Sequence, residues 1–365
     1  MYNYNSKISR YDFNTAIYSA AMNHLLALKR KRKMAGMILI CLFFVWGMNA
    51  QKTASDMQLQ GNVKRLYTYK HTATDVVVEN NKLVSYQKEK QISHIEYIFD
   101  KTGNLLAENR FDNTKDLINF SYIYTYDDQN RLIEITLAHL GKFLVGRTEY
   151  SYDKAGNKKQ ALGYNDRDSL KNTVIYQYDS MGNCIMERTF NTIYLVIKEL
   201  QHQYNERGQC TLSVNLKTLD RTNLPFREIQ RFDDSNNLIY KSFFNEHDSL
   251  QWEYSARYDK LDSMLYEEVK DGTGTLTNWS ALKYNKRHQR ILLRQYHYQT
   301  GMTRTVYSYD KTGKLIKAEV FVPKIKTPVI IRTYLYDDQG NWIACIEENL
   351  PAASWIVSVR RVVYF

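Results

Sequence analysis

From about residue 95 onward the chain alternates apolar and polar positions in short runs, each ended by a polar turn. A period of two over runs of this length predicts β-strands with two unlike faces. The segments YIFDKTGNLL, YTYDDQNRLI, YSYDKAGNKK, YQYDSMGNCI, HQYNERGQCT, QRFDDSNNLI, ARYDKLDSML, LKYNKRHQRI, YSYDKTGKLI and YLYDDQGNWI align without gaps. Their last aromatic residues are Phe99, Tyr126, Tyr152, Tyr178, Tyr204, Phe232, Tyr258, Tyr284, Tyr309 and Tyr336, at spacings of 25 to 28. Such a period marks a tandem array built from one supersecondary unit.

Each slot of the unit has a physical reason. The residue after the aromatic is Asp100, Asp127, Asp153, Asp179, Asn205, Asp233, Asp259, Asn285, Asp310 or Asp337. These side chains accept hydrogen bonds from backbone N–H groups two residues on and so start a turn. Three positions later stand Gly103, Asn130, Gly156, Gly182, Gly208, Asn236, Asp262, His288, Gly313 and Gly340. Glycine, and after it Asn, Asp and His, tolerates the left-handed region. The pair predicts a three-residue hairpin loop, a type I turn followed by a left-handed residue.

Before each turn, Tyr recurs two positions ahead of the last aromatic, at Tyr97, Tyr124, Tyr150, Tyr176, Tyr307 and Tyr334, with polar residues between. One face of the sheet therefore carries a tyrosine ladder and the other meets water. The connections between units, such as Asn165–Asp168, Asn245–Asp248 and Asp271–Gly274, read as shorter and more variable turns. The expected fold is all-β: tandem hairpins of about 26 residues forming a meander of about twenty strands. Accumulated twist should curl so large a sheet into a coiled sheet, a partial barrel or a spiral shell. The expected organisation is a leader over 1–50, an N-terminal cap and irregular first unit over 51–94, ten hairpin repeats over 95–350, and a closing strand over 351–365. Within these, 61–69 reads as an incoming strand and 70–95 as the irregular unit.

The pattern Tyr-x-Tyr-Asp-x-x-Gly-Asn/Arg-Leu resembles the YD repeat of the Rhs family, the teneurins and insecticidal toxin-complex shells. The resemblance covers roughly residues 95–345 and is best at Tyr150–Asn157, Tyr176–Asn183 and Tyr307–Leu315. It implies a β-strand shell that wraps a cargo or serves as a surface module. The chain also resembles secreted repeat proteins of Bacteroidetes-type bacteria. No toxin domain is expected after the repeats, so a toxin role is not implied.

Composition agrees with solvated strands: 30 Tyr and 14 Phe against 4 Pro, with a mean hydropathy of −0.53 that argues against a polytopic helical membrane protein. The net charge of +11 divides unevenly. Residues 1–50 hold seven basic residues and Asp12; the other 315 carry 43 basic and 38 acidic residues, an ordinary mixed surface that disfavours nucleic acid as a partner. The basic run Lys29–Lys33 precedes an apolar stretch, Met34–Met48, and then Asn49-Ala50-Gln51. This is the pattern of a secretory signal, too short to span a bilayer, with Met34 or Met37 as a plausible true start. Export to the periplasm, cell surface or medium follows as an expectation. Membrane contact is expected only through an uncleaved leader, and Cys41 lacks a lipoprotein context.

Candidate chemistry is sparse. Cys184 and Cys210 fall in one slot of adjacent units, two strands or about 10 Å apart, too far for a disulfide. With Cys345 they read as small buried hydrophobes. His202 and His288 occupy repeat slots. Glu267-Glu268 and Glu347-Glu348 read as solvated edges, their members on opposite faces. No metal, nucleotide or nucleophile motif is present, and no catalytic residue, cofactor or metal is assigned. Trp252, Trp279, Trp342 and Trp355 are candidates for stacking on a ligand. The expectation is a non-enzymatic, exported binding or structural scaffold, with a glycan-binding module and a shell around a passenger protein as alternatives.

Overall fold

The computed structural model describes residues 53–80, 82–115, 117–218 and 226–365; the leader, its Met34–Met48 stretch and Cys41 lie outside them. The strands are β1 (Val63–Glu79), β2 (Lys82–Phe99), β3 (Leu105–Phe111), β4 (Ile118–Tyr126), β5 (Leu132–His139), β6 (Phe143–Tyr152), β7 (Lys158–Tyr164) and β8 (Leu170–Tyr178). There follow β9 (Cys184–Asn191), β10 (Val196–Tyr204), β11 (Cys210–Thr218), β12 (Phe226–Phe232), β13 (Leu238–Phe244), β14 (Leu250–Tyr258) and β15 (Met264–Asp271). The last are β16 (Leu276–Tyr284), β17 (Arg290–His297), β18 (Gly301–Tyr309), β19 (Leu315–Phe321), β20 (Ile330–Tyr336), β21 (Trp342–Asn349) and β22 (Ser354–Tyr364).

Every strand pairs antiparallel with its successor, and β1 also pairs with β22, with Leu66 opposite Val362 and Tyr69 opposite Val359. The sheet is therefore a closed ring of 22 strands: the expected all-β hairpin array, curled until its two ends meet. Closure removes both edges, the weakness of any long open sheet. At about 4.8 Å per strand, the 22 strands give a perimeter of at least roughly 105 Å. A ring that wide is more than its own side chains can fill.

One rim is built from a single turn, which recurs at four connections of the other. At Asp153, Oδ1 accepts from the N–H groups of Ala155 and Asn157, each at 2.9 Å; Asn205 does the same with its amide oxygen for Arg207 and Gln209. The ten residues three positions on, glycine or not, have φ between 58° and 94°. On the opposite rim Asn165, Asn191, Asn245 and Asp271 make the same two bonds, with Asp168, Tyr194, Asp248 and Gly274 left-handed. The connections expected to be shorter and irregular are thus a second row of the same loop. They lack the preceding Tyr-x-Tyr, so the half-period is hidden in the sequence.

The last tyrosine of the unit has a task of its own. Tyr126, Tyr152, Tyr204, Tyr258, Tyr284, Tyr309 and Tyr336 donate their hydroxyls to the backbone carbonyls of Leu105, Leu132, Cys184, Leu238, Met264, Arg290 and Leu315. Each acceptor opens the strand that follows the preceding turn. The carbonyl lies beside a register shift of the turn-proximal pair, as at Thr125/Tyr126, where Tyr126 pairs with Leu132 and the ladder loses its regular partners. The hydroxyl ties one hairpin to the next.

Residues 70–95, expected to be irregular, instead prolong β1 and β2 into the longest hairpin. It is bent by register shifts at Lys70/His71, Thr72/Ala73 and Thr74/Val77. Val76, Leu83 and Tyr86 from its distal half pack on Ala73, Leu335, Ala344, Ile346 and Val357. At the other rim the segment before β1 caps the seam. Ala54 and Leu59 join Val63, Leu66, Phe99 and Leu105 in an apolar cluster, and Gln60 exchanges two hydrogen bonds with the Asn341 side chain.

Candidate functional site

Following the pairing register around the ring separates two faces. One carries Tyr124, Ile135, Tyr150, Ala161, Tyr176, Leu200, Tyr254, Leu282, Leu293, Ala318 and Tyr334. The other carries Glu149, Arg188, Glu199, Arg227, Arg257, Glu268, Lys270, Arg304 and Lys317. The first face is concave. Alternate residues of β5 to β10 converge from it on a cavity of about 260 Å³. The second is convex and charged, with ion pairs such as Arg188–Glu199 at 2.8 Å and Lys270–Glu268 at 3.0 Å. Its arginines also lie across aromatic rings of the neighbouring strand: Arg227 on Phe244, Arg257 on Tyr266 and Arg304 on Phe321.

The cavity has an aromatic and aliphatic floor, formed by Leu137, Tyr150, Ala161, Val174, Tyr176 and Leu200, and two charges, Glu187 and Lys198. Its outer end is polar, with Asp166, Lys171 and Asn172. Gly163 helps to shape it: a Cβ there would lie 2.2 Å from Asn172 Oδ1, so glycine lets that amide fold against the strand. Burial dominates the electrostatics. It pushes the Tyr150 hydroxyl up to about 12 and raises that of Tyr176, which the Glu187 charge raises further. Burial also lowers the ammonium pKa values of Lys158 and Lys198, and the pull of Glu187 opposes this in both. Lys158 Nζ sits 4.6 Å from the centre of the Tyr150 ring. Ring faces beside fixed opposite charges, partly withdrawn from water, suit a small guest with both apolar and polar sides.

The twenty turn residues expected from the sequence, Asp100 to Gly340, lie on one rim away from the cavity, whereas Asn165 of the opposite rim lines it. The four tryptophans do not converge. Trp252 is on the concave face, stacked on Phe243 at 5.8 Å. Trp279 is on the convex face beside Tyr266. Trp342 lies under the Arg360 guanidinium at 3.6 Å, and Trp355 packs against the cluster beneath the long hairpin.

The glutamate pairs need correcting. Their members do point to opposite faces, but Glu267 and Glu347 are on the concave one. Burial raises the Glu267 carboxyl pKa, against hydrogen bonds from Ser280 and Tyr254; Glu347 pairs with Arg332 at 2.6 Å. Cys184, Cys210 and Cys345 are free and only half-buried. Among the described residues no group of three or more His, Cys, Asp or Glu side chains is placed to hold a metal ion.

No family model matches the chain, and no curated protein matches it. Among solved structures it is similar to the crystal structure of TcdB2-TccC3, at 12% identity and a TM-score of 0.35, over 77% of this chain and 17% of that one. It is also similar to a porin-like protein from Bacteroides uniformis ATCC 8492, at 7% identity and a TM-score of 0.28, over 84% of this chain and 99% of that one. A porin-like protein from Bacteroides vulgatus ATCC 8482 overlaps at 7% identity and a TM-score of 0.23, over 83% and 98%. The chain thus spans 17% of the TcdB2-TccC3 chain and nearly all of the porin-like chains.

Proposed function

We propose that the protein is an extracytoplasmic, non-enzymatic binding scaffold: a β-repeat ring that holds a guest on its concave face. One contrast carries this reading. Around the cavity of β5 to β10 the concave face is aromatic and partly desolvated, while the convex face carries ion pairs such as Arg188–Glu199 and, farther round, Lys270–Glu268. That contrast also argues against a membrane-crossing barrel. Such barrels need an outward apolar band, and each Lys or Arg at mid-bilayer costs about 2–4 kcal/mol. Arg188, Lys270 and Lys317 would each bear that cost. The compartment follows from the leader pattern in the sequence.

The guest best matched to tyrosine faces, an amide and the opposite charges of Glu187 and Lys198 is a saccharide or a similarly sized polar molecule with one apolar side. Glycan-array screening of the mature protein, followed by calorimetry with each hit, tests the reading. A hit whose affinity falls at least tenfold in Tyr176→Ala, with the melting temperature of the ring maintained, supports it. Absence of binding across neutral, acidic and amino sugars removes the saccharide. Capture of a passenger protein from envelope extract would replace it with the shell reading.

A further inference from the structure

Tyr124, Tyr150 and Tyr176 follow one another at the same ladder position, and in the next unit that position is His202. The substitution brings an imidazole to the concave face of β10. Its Nδ1 lies 2.9 Å from Ser213 Oγ, and its Nε2 lies 3.7 Å from Glu187 Oε1, an ion-pair distance. Cys210 opens β11, paired with Tyr204, and its Sγ lies 3.3 Å from the same Ser213 Oγ. Ser213 Oγ lies within hydrogen-bonding reach of both the imidazole and the thiol, and Cys210 Sγ also lies 3.4 Å from the Leu212 carbonyl. Thiol, imidazole, hydroxyl and carboxylate therefore form one connected group across β9, β10 and β11, next to the cavity that Glu187 lines.

We propose that Cys210 is a nucleophilic thiol, activated by the His202 imidazole across Ser213, and a site of oxidation to the sulfenic acid by small hydroperoxides entering the ring. The inference is independent of what the cavity binds. His202 takes the thiol proton, the thiolate sulfur attacks the terminal hydroxyl oxygen of the hydroperoxide, and the O–O bond breaks. The sulfur becomes a sulfenic acid, the peroxide is reduced, and the leaving alkoxide takes a proton from His202, ending as an alcohol. Ser213 holds both partners in register, and Glu187 supports the positive imidazole.

The charged and titratable surroundings agree. Burial alone would lower the His202 pKa, but its bonds to Cys210 and Glu187 and their charges bring it up to about 9. Burial alone would raise the Cys210 pKa, yet the bonds from His202 and Ser213 and the His202 charge bring it below its ordinary value of 9.0. The other groups facing the pair are Lys198 on the same strand as His202, Cys184 and Glu187 on β9, Glu228 on β12, whose charge works against the thiolate, and Lys241 on β13, paired with Glu228 at 2.9 Å. Tyr204, on β10, is held protonated by burial. Cys184 and Cys345 serve as controls within the molecule. Burial pushes Cys184 up to about 11 and also raises Cys345.

The test is competitive alkylation of the folded, full-length protein with iodoacetamide between pH 5 and 9, read peptide by peptide by mass spectrometry. A thiol below 9.0 and one at about 11 differ at least a hundredfold in thiolate at pH 7. The weaker nucleophilicity of the more acidic thiolate removes about one order of magnitude. Cys210 should therefore react roughly tenfold faster than Cys184, or more. In His202→Gln, which keeps a hydrogen-bonding group near Ser213, the Cys210 profile should move to higher pH. Treatment of the wild type with hydrogen peroxide and dimedone should label Cys210 first. Equal rates at the three cysteines, a profile unmoved in a folded His202→Gln protein, or dimedone labelling that favours Cys184 or Cys345 would overturn the proposal. The wild-type comparison decides the question even where the variant fails to fold.

Discussion

Replacing Tyr152 by Phe deletes one oxygen and leaves the ring of the side chain in place. The hydroxyl donates to the Leu132 carbonyl over 2.7 Å, beside the register shift at Thr125/Tyr126 where the strand ladder offers that carbonyl less. A neutral intramolecular hydrogen bond contributes a net 0.5–1.5 kcal/mol, and stranding a buried acceptor adds to the loss. The site is half-buried, so a cost of about 1 kcal/mol is expected for Tyr152→Phe. Tyr258 and Tyr336 make the same contact with Leu238 and Leu315, at 3.2 and 2.8 Å. These sites are several units apart and should add, so the triple variant Tyr152→Phe/Tyr258→Phe/Tyr336→Phe should lose about 3 kcal/mol. With a urea slope of roughly 3 kcal/mol per molar, the midpoint should fall by about 0.3 M for the single change and about 1 M for the triple. Urea unfolding followed by far-ultraviolet circular dichroism measures this, provided that the slopes of wild type and variants agree. A triple variant within 0.2 M of wild type would refute the staple: the hydroxyls would then be no better bonded in the ring than in water.

Three further outcomes follow from the same geometry. At Gly156, φ is +88° and the space around a Cβ is open, so only backbone strain opposes a side chain; Gly156→Val should cost about 1–2 kcal/mol in melting experiments and Gly156→Asn clearly less. The backbone N–H of Asn157, foremost among the bonds to Asp153, holds that carboxyl below its ordinary value, and comparable turn bonds lower Asp127, Asp179 and Asp310. A depressed folded-state pKa contributes stability above the unfolded value that is lost as pH falls through the folded one, so the ring should weaken below about pH 4, and Asp153→Asn should shed its share of that dependence. Glu267 has the opposite sign: burial raises its folded pKa, so its contribution is complete below the ordinary carboxylate value and lost as pH rises through the folded one. Glu267→Gln should flatten that part of the stability-against-pH curve and stabilise the ring at neutral pH relative to wild type.

The repeat was legible because each of its slots answers a local demand. Asp153 with Gly156, or Asn285 with His288, specifies a turn within five residues, and the exceptions to glycine are as informative as the rule. Closure was not legible, because the meeting of β1 with β22 depends on twist summed over the whole sheet and on a long bent hairpin. The second row of turns was hidden for a different reason: Asn191 and Tyr194 make the same loop as Asp153 and Gly156 but carry none of the flanking consensus. The concave chemistry is assembled from side chains about a repeat apart, each explicable alone as a scaffold position. Only a departure from the consensus, His202 in a tyrosine slot close to Cys210, could have marked it. Glu267 was misplaced because alternation tells which residues share a face but not which face is inside.

Closure of the ring is tested most directly by residue-resolved hydrogen–deuterium exchange across β1 and β22. Alternate amides of Arg65–Thr72 face β2 and β22 in turn. In a closed ring both sets should be protected to the same degree as those of an interior strand such as β10, and so should the set of Ile356–Val363 that faces β1. Coil-like exchange confined to the amides of β1 that face β22, and to their partners in β22, would show an open sheet and contradict the account.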